Sequence, residues 1–266
     1  MDGPLAGPDF VVAAELPSVG GMETTAVARS MRGSLGMLAM AWLMSDDTKA
    51  QAAARGMGEG MGAYAIGRLG VLGDCPPDNV VGAAYFWEPE LMRSMVAEGR
   101  AAMAPADGAQ IYTEICQAYG AEALDGFEGN ERLGELLERV VDSADPQGAP
   151  LFVGWRDMPR PESSGAAKTF QLAQCMRELR FSRHAVAVQA AGMGPLEAIL
   201  SGPAGEWNAE FFGWPKPYPD VGDLAEARDQ IETVTDQLHG RDFEVLTADE
   251  RAEVRELSKA ARAHAS

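Results

Sequence analysis

Apolar residues in this chain recur at steps of three and four, and no stretch alternates with period two for long enough to read as a strand. The plainest case is Leu224, Ala227, Ile231, Val234 and Leu238, which lay one apolar stripe along an otherwise polar segment. That spacing belongs to a helix with one face against a core. Thr247-Ala248-Asp249-Glu250 then reads as a capping box. In such a box the threonine hydroxyl and the glutamate carboxylate each satisfy a free N–H of the first helical turn. An all-α fold follows, mainly helical with little or no sheet.

Helices are expected over 24–44, 48–57, 61–72, 79–86, 89–103, 109–124 and 130–145, then over 164–180, 182–192, 195–201, 224–239 and 248–263. Ser45, Asp46 and Asp47 offer caps for the second of these. Pro4, Pro8 and Pro17, with Gly20-Gly21, make residues 1–23 a loose arm. Pro150-Leu151-Phe152-Val153-Gly154-Trp155 is the best candidate for an extended stretch, a crossover between helical halves at 24–148 and 149–266. The halves echo each other faintly. Gly73 and Pro76 precede a helix and the aromatics Tyr85-Phe86-Trp87, while Gly192 and Pro195 precede a helix and then Trp207, Phe211 and Phe212. Residues 64–90 and 182–214 are therefore expected in similar places in the two halves.

Charge narrows the range of functions. The chain carries 40 acidic against 22 basic residues, a formal net charge of −18. Nucleic acid and anionic membranes are bound by neutralising phosphates with Lys and Arg, so this balance opposes both. The most apolar run, residues 35–44, is about half of the ~20 residues that a membrane span needs. Residues 1–24 hold no Lys or Arg, which is unlike a secretory signal. Cys75, Cys116 and Cys175 lie far apart without paired spacing, as reduced thiols in a cytosol would. A soluble cytoplasmic protein is the expectation.

Motifs for familiar chemistry are missing. The three histidines, His184, His239 and His264, are scattered, with no HExxH and no CxxC, so no metal site is expected. Ser34 in Gly33-Ser34-Leu35-Gly36 falls inside an expected helix, not on a strand-to-helix elbow. Gly58, Gly60 and Ala63 could be forced onto a dinucleotide fingerprint, but no strand precedes them; close helix packing or a turn explains these glycines better. No cofactor is called for. What remains is aromatic: Tyr64, Tyr85, Phe86 and Trp87; Phe152 and Trp155; Trp207, Phe211, Phe212 and Trp214, besides fourteen methionines. Such residues are usually core, and they line a cavity where one forms.

A polar constellation stands beside them in Arg177-Glu178-Leu179-Arg180-Phe181-Ser182-Arg183-His184, at the expected end of one helix and start of the next. A site between the halves would take Tyr64, Arg68, Tyr85 and Trp87 from one side and Trp155, Arg180, His184 and Trp214 from the other. Aromatic walls would supply contact area, Arg180 would anchor an anion because its fork stays charged, and His184 would act as acid or base. Glu178 lies two residues from Arg180, a spacing that turns it to another face and toward solvent. The competing reading makes all of these ordinary core residues and a salt-bridged helix end.

Ordered matches to a known pattern run through the chain. They include Tyr64-Ala65-Ile66-Gly67-Arg68-Leu69-Gly70, Val80-Val81-Gly82-Ala83-Ala84-Tyr85-Phe86-Trp87, Asp145-Pro146-Gln147-Gly148, Arg177-Glu178-Leu179-Arg180, Ala191-Gly192-Met193-Gly194-Pro195-Leu196 and Phe212-Gly213-Trp214. Over residues 25–262 the chain resembles a family of actinobacterial helix-turn-helix proteins with two tandem winged-helix-derived halves. The resemblance implies a helical scaffold whose recognition helix and wing would follow Trp214. Here Pro215-Lys216-Pro217-Tyr218-Pro219 follows instead. Proline neither continues a helix nor donates to a ladder, so that region reads as lost. The pattern also places histidines where Leu179 stands and near Leu38. The expectation is a binder, or a cofactor-independent enzyme of specialised metabolism, acting on a small apolar or aromatic metabolite. The alternative is a regulator or scaffold of helix-turn-helix ancestry, and a homodimer is left open.

Overall fold

A computed structural model describes residues 22–163, 165–222 and 224–266. Residues 1–21 of the expected arm and Ser164, the expected start of a helix, lie outside the described residues. All regular structure is helical, and no strand occurs among the described residues. In order the helices are α1 (Met22–Gly33), α2 (Leu35–Met40), α3 (Asp46–Ala54), α4 (Met61–Arg68), α5 (Pro77–Ala84), α6 (Pro89–Ala102), α7 (Pro105–Ala123) and α8 (Asn130–Ser143). They continue with α9 (Pro150–Arg156), α10 (Ala166–Ala190), α11 (Pro195–Leu200), α12 (Gly205–Phe211), α13 (Ala225–Asp242) and α14 (Ala248–His264).

Local chemistry sets most of the starts. Proline opens α5, α6, α7, α9 and α11, where its fixed φ suits the first turn and its missing N–H costs nothing. The Ser45 hydroxyl accepts from the Thr48 N–H at 3.1 Å. In the capping box of α14, Thr247 accepts from the Glu250 N–H at 3.3 Å and Glu250 accepts from the Thr247 N–H at 2.9 Å. Gly56 and Gly58 hold φ of +83° and +88°, so these glycines make a left-handed turn before α4. A Cβ at Gly62 would collide with Glu98 of α6. Helix packing and a turn thus account for the glycine run.

Three segments depart from the sequence reading. The expected helix 24–44 breaks at Ser34, whose φ and ψ are −103° and −82° and whose hydroxyl donates to the Ser30 carbonyl at 3.0 Å. A Gly-Ser pair is a common place for a helix to bend. Residues 150–155, expected to be extended, form α9 with proline at its first position. The expected helices 164–180 and 182–192 are one helix, α10, of 25 residues. No glycine or proline lies within it to break it, and the Ser182 hydroxyl is taken up by the Glu178 carbonyl one turn back at 3.1 Å instead of capping a new helix.

α10 is the rod about which the rest is laid, packing against α2, α7, α8, α9 and α13. Trp42 lies in the main core with its ring 4.7 Å from Tyr112 and 6.1 Å, edge-on, from Trp155. Phe152 and Phe170 fill in around them, fully buried. Each such side chain contributes about 1.5–3 kcal/mol. This core runs from Val27 to Ala261 and so draws on both sides of residues 148 and 149. The three cysteines are free thiols, and burial pushes Cys175 up to about 12. Among the described residues no helix is long and apolar enough to cross a membrane.

Candidate functional site

Because α10 is continuous, Arg177, Arg180, Phe181 and His184 fall at i, i+3, i+4 and i+7 and share one face. A two-lobed cleft opens over that face. The first lobe, about 230 Å³, lies against α1 and α2, with Met31, Leu35, Met37, Met40 and Met176 as its apolar wall. The second, about 250 Å³, has Tyr64, Phe86, Trp87, Val188, Phe212 and Ile231 around it. Arg177, Phe181 and His184 line both.

Beneath the second lobe sits a buried ion pair. Arg68, 1% exposed, gives Nε and Nη2 to the two oxygens of Glu178, 0% exposed, at 2.8 and 2.7 Å, and gives Nη1 to the Tyr64 hydroxyl at 2.8 Å. The Arg68 guanidinium also lies 5.0 Å from the Phe181 ring centre. Gln174 and Arg177 each add a donor to Glu178 Oε1 at 2.7 Å. The expectation that Glu178 points to solvent is therefore overturned. Its position alongside Arg180 does face elsewhere, but that other face is the interior, where Arg68 awaits it. Burial alone would raise the Glu178 carboxyl, yet Arg68 and Arg177 together hold it below the usual carboxylate range. Arg68 is raised: burial works against it, and Glu178 and Tyr64 outweigh burial. Arg177 is lowered by burial and by its neighbour Arg68, only partly offset by Glu178.

His184 is defined by Thr235 on α13. The threonine hydroxyl donates to the Ile231 carbonyl at 2.8 Å and lies 3.0 Å from His184 Nδ1. A hydroxyl has one proton, so both contacts are satisfied only when Nδ1–H donates, leaving a lone pair on Nε2. Burial pushes His184 down to about 4; Glu232 works against that fall, and Arg180, Arg228 and Arg32 add to it. At pH 7 the ring is thus neutral, stacked 5.7 Å from Phe86, and offers an acceptor in place of a proton. Arg180 pairs with Glu232 at 2.8 Å and approaches Asp236 at 3.7 Å. Its Nε makes no hydrogen bond among the described residues.

Of the eight residues singled out in the sequence, Tyr64, Arg68, Trp87, Arg180 and His184 line the cleft. Tyr85, Trp155 and Trp214 stand behind its walls. Trp155 is fully buried, its indole N–H on the Arg68 carbonyl at 3.1 Å. Trp214 gives its indole N–H to the Phe86 carbonyl at 2.9 Å. Tyr85 ends α5 at φ +33°, a left-handed strain of about 1–3 kcal/mol for a residue with a Cβ. Its ring braces Phe86 edge-on at 4.8 Å. The echoing segments thus meet directly, since the Glu88 N–H also donates to the Phe212 carbonyl at 2.9 Å.

The sequence reading left out Arg177 and Phe181 as site residues, with the methionines of α1 and α2. The signal was the spacing 177, 180, 181, 184, hidden by placing a helix break at Phe181. Among the described residues no group of three or more His, Cys, Asp or Glu is placed to hold a metal ion. The arrangement has the means to orient a small ligand by arginine forks, accept a hydrogen bond at His184 and cover an apolar body.

A family model described as "Helix-turn-helix family" matches residues 28–218, more than two-thirds of the chain. The match spans α10 and both aromatic segments of the second lobe, while α13 lies beyond it. No curated protein and no solved structure matches the chain.

Proposed function

The chain belongs to the helix-turn-helix family, and we propose that it works as a small-molecule protein holding a small apolar or aromatic metabolite in the cleft along α10. The observation that carries this reading is the second lobe, which Phe86, Trp87, Phe181 and Phe212 line in edge-to-face pairs, with Arg68, Arg177 and His184 also on its wall. Apolar clefts with a few convergent polar groups are the usual form of ligand sites. As a binder the protein uses His184 as a hydrogen-bond acceptor. As a cofactor-independent enzyme it uses His184 Nε2 to take a proton, with Arg180 holding negative charge nearby. A place in actinobacterial specialised metabolism rests on the family resemblance alone. The protein then acts in the cytoplasm without specific nucleic-acid or membrane contact, and the reading is the same for a monomer or a homodimer.

Family membership itself favours a second reading, a regulator or scaffold. Against a DNA-reading role stands the segment after Trp214, which carries neither helix nor strand among its described residues before α13.

Nile red, a neutral apolar dye, tests the cleft. Saturable binding with one site per chain is expected. Ala198→Trp, which builds a ring into the second lobe from α11, should weaken binding at least tenfold with the melting temperature held. Non-saturating fluorescence, or binding untouched by Ala198→Trp, would show that the second lobe is not the site.

A further inference from the structure

The surplus of positive charge in the cleft says something about the occupant. Glu178 receives four N–H donors, two from Arg68, one from Gln174 and one from Arg177. Three of them fall on Oε1 and one on Oε2, so protein donors hold both oxygens. The single negative charge of Glu178 is shared by Arg68, in a two-point pair, and by Arg177, at one contact, which leaves the three groups one positive charge in excess. Arg177 is half-buried and lines both lobes. Its Nε and Nη2 make no hydrogen bond among the described residues.

The first lobe carries the same excess. Arg32, Arg177 and Arg180 line it, and no carboxylate does. The Glu232 that pairs with Arg32 and Arg180 lies toward the second lobe. On a chain of net charge −18 this is a local reversal of sign, and the field of the rest of the protein would otherwise repel anions from it. Apart from His184 and His239, the remaining wall of the first lobe is apolar, with Met31, Met37, Met40 and Met176 in it. Met37 and Met40 stand at its rim, 44% and 49% exposed. Methionine is unbranched and adaptable, so such a wall can mould itself along an unbranched apolar body.

We infer that the ligand is an amphipathic carboxylate, its head seated on Arg177 where the lobes join and its unbranched apolar body lying along the methionines of the first lobe. This rests on the reading of the cleft as a small-molecule site and adds the ligand's chemical class. A single negative charge on the head offsets the one positive charge in excess around Glu178. The free Nε–H and Nη2–H of Arg177 form the two-point fork that fits a carboxylate.

Calorimetric titration with decanoate and with decan-1-ol, both kept below their aggregation limits, tests this on the native protein. Decanoate is expected to bind at least tenfold more tightly than decan-1-ol. Arg177→Met, which keeps the Arg68–Glu178 pair and a good helix former, should erase that preference with the melting temperature held. Gly36→Phe should exclude decanoate by filling the first lobe, because the backbone there leaves ordinary room for a Cβ. Ala198→Trp should leave decanoate binding intact. Equal affinity for acid and alcohol, or a preference that survives Arg177→Met, overturns the assignment of the head. Loss of decanoate to Ala198→Trp instead of Gly36→Phe overturns the placement of the body. Either result with Nile red still bound leaves the small-molecule reading standing, and failure of Nile red as well removes that reading too.

Discussion

Four donors converge on the Glu178 carboxylate, and all of them are protein. Taking away one partner of a buried pair leaves a charge with no solvent, which typically costs about 3–5 kcal/mol, whereas replacing both by apolar groups is often neutral. Glu178→Gln should therefore lower stability by about that amount, and Arg68→Met with Glu178→Leu should lie much closer to the native protein. Urea unfolding of the three proteins decides it; a single variant within about 1 kcal/mol of native would contradict the account. The sequence shows Glu178 beside arginines but not which face of the helix is covered. The partner, Arg68, lies 110 residues away on α4, and no local pattern announces a pairing over that distance.

Elements were legible where the signal is local. The capping box of α14, the Ser45 cap of α3 and the starts at Pro89 and Pro195 are local matters within four residues, and they sit where the sequence puts them. α10 was not, because Gln171, Gln174, Glu178 and Ser182 at helical spacing look like a solvated face and are in fact buried. α13 shows the same inversion. The buried face of its central turns runs through Ile231, Thr235, Asp236 and His239, while Val234 and Leu238 of the apolar stripe are only half-buried. Its carboxylates turn inward to meet Arg29 of α1 and Arg180 of α10. The same logic of long-range pairing joins the turn after α5 to the end of α12. Trp214→Phe removes one hydrogen bond to the Phe86 carbonyl, worth about 1 kcal/mol. Nile red affinity should fall a few-fold because Phe86 and Trp87 lose their brace. Faster amide exchange over residues 85–88 should accompany it. Unchanged exchange there would mean the brace is not what holds this wall.

For the whole molecule, charge sets the terms. Helix-turn-helix ancestry suggests a duplex in the major groove, where specific readers present Arg, Lys, Asn or Gln on an exposed helix. Here Lys216 stands among prolines and pairs with Glu210 at 3.0 Å, on a chain of net charge −18. Fluorescence anisotropy at 150 mM salt should show no sequence-dependent binding to duplex DNA. Nanomolar affinity for one sequence over another would reverse that conclusion.

The walls of the cleft come from α1, α2, α4, the turn after α5, α10, α11, α12 and α13, nearly the full length of the described chain, and they meet only when it is folded. An occupant therefore acts as a keystone, and its affinity is returned as resistance to unfolding everywhere at once, by RT ln(1 + [L]/Kd). A hundredfold excess over Kd is worth about 2.7 kcal/mol, comparable to filling the core with one more phenylalanine. Supply of the ligand would then set not only whether the site is occupied but how long each copy of the protein survives proteolysis.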